Sequence, residues 1–177
     1  LPICRKYKAC CSGRTLRAPL VARCRWLLAR AARHAVRTGP SAVESLRQLF
    51  DSSFGGDAAA LTGDMLLFPG GGLSRYLECR GALLADDEAA VVATWPTAPM
   101  RVLAVGEVAA DGTVRVTDLA DGSALVVDDR AAAAGLQPGE TVLTRTLPVG
   151  DVLLLTDRKS TRLNSSHITI SYAVFCL

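Results

Sequence analysis

The residues best suited to chemistry in this 177-residue chain stand near its start, in Arg5-Lys6-Tyr7-Lys8-Ala9-Cys10-Cys11. Two adjacent thiols can both reach one zinc ion if two further thiolates come from a tight, glycine-bearing loop. Four thiolates then close a tetrahedral shell that leaves no position for substrate, so the site would be structural. Arg5, Lys6 and Lys8 would offset the negative charge of that shell and favour deprotonated sulfur. The plain alternative is a chance Cys-Cys pair in a basic segment. A disulfide framework is not expected, because Cys24 and Cys79 fall on separate predicted helices and read as small buried hydrophobes.

Other candidates are weaker. Gly70-Gly71-Gly72 before a helix could cradle phosphate, but no G-K-[ST] continuation follows and no full strand precedes it, so a tight turn is the simpler reading. Asp86-Asp87-Glu88 could serve as a carboxylate cluster, yet at a helix start it more simply caps the helix and suits its dipole. Asp128-Asp129 ends a strand and reads as solvated. His34 is the single histidine between residues 5 and 156, which leaves no Ser-His-Asp arrangement beyond one centred there. Its position suits a surface or interface role rather than ligation. Trp26 stands among arginines and could stack a base. Packing against a neighbouring helix or the cysteine lobe, under arginine stems, is the favoured reading. No catalytic constellation emerges, so the chain is expected not to be an enzyme.

The cysteine segment resembles the second half of the SEC-C zinc motif, C-x-C-G-S-G-[RK]-K-Y-K-x-C-C, known from the C-terminus of the SecA translocation ATPase and from many bacterial proteins. The resemblance implies Cys10 and Cys11 as metal ligands and zinc as the cofactor of a full-length parent. Aligned on Arg5-Lys6-Tyr7-Lys8, residues 1–3 occupy the motif's second Cys, first Gly and Ser, and Cys4 occupies its second Gly. Later segments resemble actinobacterial SEC-C proteins. They include Leu67-Phe68, Gly70-Gly71, Tyr76-Leu77, Arg80-Gly81, Leu83-Leu84 and Asp87-Glu88, then Asp118-Leu119-Ala120-Asp121-Gly122 and Leu147-Pro148-Val149-Gly150-Asp151.

The ends read differently from the interior. Ile3, Ile168, Ile170 and Asn164 are the only isoleucines and asparagine, and residues 4–156 contain neither. Leu1-Pro2-Ile3 and residues 157–177 resemble translated sequencing-adapter sequence, and Cys4 is expected to be Gly in the parent. Such a tail is not expected to bury Ile168, Ile170, Tyr172 and Phe175 in the main core.

These residues must be held by elements that the apolar spacing outlines. Residues 14–38 predict a helix with Leu20, Val21, Cys24, Leu27, Leu28, Ala31 and Ala35 inward and Arg23, Arg30, Arg33 and Arg37 opposite. Gly39-Pro40 ends it. Ser41 with Glu44 predicts a capping box for a second helix, with Val43, Leu46 and Phe50 inward. Residues 51–64 read as loose, 65–68 as a short apolar run, and 73–84 and 86–95 as two further helices. From Met100 the period becomes two. Strands are predicted over 102–108, 113–119, 123–127, 141–147 and 152–155, with turns at Asp111-Gly112, Asp121-Gly122 and 148–151. The fold class is α+β: a helical half, then a small antiparallel β-barrel or curled sheet. The expected division is a truncated zinc lobe (1–13), a helical region (14–99), a β domain (100–156) and an adapter-derived tail (157–177).

Charge is segregated along this order. Residues 1–40 hold ten Lys/Arg and no acid, whereas 41–156 hold seven Arg against sixteen Asp/Glu, so the head either meets an acidic partner or contacts the body. No apolar run reaches the roughly 18–20 residues of a membrane span, and no signal peptide opens the chain. The expectation is a non-catalytic, cytoplasmic protein-interaction module with no membrane association. The alternative is a nucleic-acid-binding protein using residues 5–37.

Overall fold

Pro19 fixes where the first described helix begins. The computed structural model describes residues 18–54, 58–156 and 161–162. Proline lacks the backbone N–H that a helix interior needs, and it biases the preceding residue away from helix. Pro19 is therefore the N-cap, in extended geometry, and α1 runs Leu20–Thr38. The expected start at residue 14 lies outside the described residues. Along α1 the predicted stripe holds: Cys24, Leu27, Leu28, Ala31 and Ala35 are buried, and Leu20 and Val21 pack at its edge.

Gly39 closes α1 by donating its N–H to the Ala35 carbonyl, and α2 (Pro40–Phe54) follows at once. Pro40 occupies the first helical position, where its missing N–H costs nothing. Ser41 is thus already inside the helix, and its carbonyl accepts from the Ser45 hydroxyl while Glu44 accepts from Gln48. The expected capping box is displaced by the proline. Val43 and Leu46 pack against the core as expected, and the side chain of Phe50 lies outside the described residues.

The stretch read as loose contains a helix, α3 (Ala58–Leu67). Alanines favour the helix, and Leu61, Leu66 and Leu67 are buried. A tight turn follows into α4 (Gly72–Arg80), a 3₁₀ turn (Gly81–Leu83), α5 (Asp86–Val92) and a second 3₁₀ turn (Trp95–Thr97). The glycine run is structural. Gly71 has φ +69°, and a Cβ on Gly72 would lie 2.6 Å from the Leu66 carbonyl oxygen and 2.7 Å from the Ala35 Cβ. Only glycine lets α4 start this close to α1 and α3.

Five strands then close a barrel: β1 (Met100–Val108), β2 (Thr113–Asp118), β3 (Ala124–Asp128), β4 (Thr141–Val149) and β5 (Val152–Leu155). A one-turn helix, α6 (Arg130–Ala133), lies between β3 and β4. β1 pairs antiparallel with β2 and β4, β2 with β3, and β4 with β5, while β3 meets β5 in parallel. The closed order β1-β2-β3-β5-β4-β1, with a helix before β4, is a five-stranded Greek-key barrel of the OB kind. At the β1–β2 turn Gly112 has φ +95°, and a Cβ there would collide with the Arg130 side chain. A two-residue β6 (Thr161–Arg162) pairs with β4 at Leu143 and Val142. Ile168, Ile170, Tyr172 and Phe175 lie outside the described residues.

β2 alternates as predicted, but β4 is buried from Val142 through Leu147 on both faces. Its inward residues fill the barrel with Leu103, Val105, Val114, Val116 and Val127. Its outward face receives the helices: Leu147 and Val149, with Leu154 of the paired β5, share one core with Cys24, Leu27, Leu73, Val92 and Trp95. The Trp95 indole N–H donates to the Pro148 carbonyl at 3.0 Å, fastening the helical layer to the end of β4.

Candidate anion-binding face

Arginines decide the electrostatics of this molecule, and α1 sorts them into two sets. Arg23 is buried, with Nη1 2.9 Å from a Glu88 oxygen and 3.1 Å from Asp87, and Nη2 also bonded to Asp87. The Asp87 hydrogen bond raises the Arg23 guanidinium above its ordinary value, and Arg23 in turn holds the Asp87 carboxyl below the usual range. Glu88 also accepts the Ala85 N–H at 3.1 Å, which caps α5. The Asp86-Asp87-Glu88 cluster therefore closes a helix and neutralises an arginine. Arg25 pairs with the buried Asp129, which places the sequence's Asp128-Asp129 in two environments: Asp128 is exposed and Asp129 is not solvated.

The second set faces outward. Arg30, Arg33 and Arg37 are exposed, and among the described residues neither Arg33, Arg37 nor Arg80 makes an ion pair. Residues at i, i+3 and i+7 share one helix face, so these α1 cations form a stripe about 10 Å long. The Arg30 guanidinium lies over the Trp26 ring, 4.5 Å from its centroid. Trp26 is 51% exposed, with the i, i+4 arginine over it as the expected cover, and the cysteine lobe also expected to pack against it lies outside the described residues.

Between the C-terminal half of α1 and α4 runs a groove of about 620 Å³. Arg30, Arg33, Arg37 and Arg80 line it, Val36 and Tyr76 supply apolar surface, and no carboxylate is among its lining residues that are described. His34 stands there too, edge-on to Tyr76 at 5.6 Å between ring centroids. Its Nδ1 is buried and lacks a hydrogen-bond partner. The interface role expected for His34 thus becomes an internal contact at the groove's base. The sequence reading missed Arg80 as a partner of this face. A basic last turn on α4 was the available signal.

The cysteines divide. Cys10 and Cys11, the expected zinc ligands, and Cys4 lie outside the described residues. Cys24 is fully buried in the core, and burial pushes its thiol up to about 11. Cys79 is exposed, contrary to expectation, because the last turn of α4 runs past the core. Among the described residues no group of three or more His, Cys, Asp or Glu could hold a metal ion.

The barrel offers a contrasting surface. On barrels of this kind the β2–β3 face and the β1–β2 and β4–β5 loops bind oligonucleotides. Here residues 100–156 contain no aromatic residue and no lysine. The outward face of β2 and β3 carries Arg115, Thr117, Ala124, Val126 and Asp128, with Arg115 3.4 Å from Glu107. Asp111 and Asp151 stand in the two loops. Such a face has neither stacking platforms nor unpaired cations.

No helix among the described residues is long and apolar enough to cross a membrane. No family model, curated protein or solved structure matches the chain.

Proposed function

We propose that the chain is a non-catalytic, cytoplasmic interaction module that binds an acidic protein partner through the outer face of α1. One observation carries the reading: Arg33, Arg37 and Arg80 stand exposed on one side of the body without ion pairs among the described residues, while Arg23 and Arg25 on the same helix are neutralised. Desolvating a bare cluster of like charges favours an oppositely charged partner. The free thiols Cys24 and Cys79 suit a reducing compartment. Cys10 and Cys11 are the surviving half of a SEC-C zinc lobe, and a parent with C-x-C-G-S-G ahead of Arg5 binds one structural zinc.

Anisotropy titration of labelled polyglutamate at low salt tests the reading. The chain should bind, and the R33E/R37E variant, still folded by circular dichroism, should bind at least tenfold more weakly. Absent binding, or binding indifferent to the variant, contradicts it.

A second reading, single-stranded nucleic acid, draws on the exposed Trp26 with Arg30 stacked on it. It predicts an oligonucleotide affinity that falls steeply with salt and is lost in Trp26→Ala.

A further inference from the structure

We infer that the groove between α1 and α4 takes an acidic peptide segment bearing one apolar side chain, an inference that rests on the reading above and specifies its ligand. The rim is cationic: Arg30, Arg33 and Arg37 on one side, Arg80 on the other, with no carboxylate lining the groove among the described residues. Guanidinium forks match carboxylates bidentately. An extended peptide advances roughly 6.7 Å per two residues, so a stripe about 10 Å long meets two acidic side chains of one face.

The floor separates peptide from nucleic acid. Val36 is 44% exposed inside the groove, and Tyr76 beneath it is buried, its ring held against His34. Bases need open aromatic faces to stack on, and Tyr76 presents none. An aliphatic side chain needs only apolar surface to cover, which Val36 and the Tyr76 edge supply. Burial of that side chain is insensitive to salt, whereas the carboxylate contacts weaken as salt screens them.

Three labelled probes test this with the whole chain: a short glutamate peptide with a central leucine, the all-glutamate peptide of equal charge, and an oligothymidylate of equal charge. The leucine peptide should bind about tenfold more tightly than the all-glutamate peptide, and the difference should survive added salt. Val36→Ser should erase that advantage. Arg80→Gln should weaken both peptides, and the exposed Arg47→Gln on α2 should weaken neither. Equal affinity for the two peptides, or tighter oligothymidylate binding, overturns the inference. If both peptides bind, weaken in R33E/R37E and show no leucine advantage, the groove assignment fails while the acidic-partner reading stands. If neither binds, both fail.

Discussion

The two halves of α1 carry the same residue type for opposite ends. In the N-terminal half, Arg23 and Arg25 are drawn into the body by Asp87, Glu88 and Asp129. In the C-terminal half, Arg30, Arg33 and Arg37 are exposed, and Arg33 and Arg37 have no carboxylate partner among the described residues. A positive residue count along the helix cannot distinguish them. What distinguishes them is the far side: α5 and the end of β3 bring carboxylates to the first half, whereas α4 brings Arg80 and Tyr76 to the second. Charge that is answered internally holds the fold together, and charge left unanswered is available for a partner.

The barrel repeats the answered case, and its removal should have the largest effect. Arg145 on β4 donates to Asp64 on α3, with Nη2 2.9 Å from the carboxylate, and also to the Ala98 carbonyl, beneath the Phe68 ring. Both charged side chains are buried. Arg145→Met should destabilise the protein by about 3–5 kcal/mol in urea denaturation, because it strands the Asp64 carboxylate in the interior. The double variant Arg145→Met with Asp64→Leu should recover most of that loss.

Arg23→Met should cost less by the same measurement, because the Asp87 carboxylate it leaves is half-exposed and the more buried Glu88 keeps the Ala85 N–H. The pair also has a pH signature. Asp87 is held below its unfolded range by Arg23, so its contribution to stability is present above about pH 4 and is lost as pH falls through its lower folded value. The stability difference between wild type and Asp87→Asn should therefore be flat from neutral pH down to about 5. It should shrink in stronger acid.

Much of this fold is legible in the sequence because local period and burial agree. The stripe Cys24, Leu27, Leu28, Ala31, Ala35 and the alternation in β2 follow from one buried face each. Legibility fails where a second layer intervenes. β4 lies between the barrel interior and the helices, so its period vanishes, and α3 hides in an alanine- and glycine-rich segment whose burial comes from distant neighbours. The Arg145–Asp64 pair joins residues 81 apart, and no local pattern announces it. Of the candidate face, the arginine side of α1 was readable from spacing. Its groove was not, since Arg80, Tyr76 and Val36 meet only when α4 packs on α1.

The smallest expected effect on stability belongs to the outer set, and it gives the most direct test. The variant R30Q/R33Q/R37Q should be measured for both urea stability and polyglutamate binding on the same preparation. Exposed residues without ion pairs contribute within about 0.5 kcal/mol each, so the unfolding midpoint should barely move. Binding should fall at least tenfold. A strongly destabilised variant, or one that binds as tightly as wild type, would contradict the division of α1 into a half that holds the fold and a half that meets a partner.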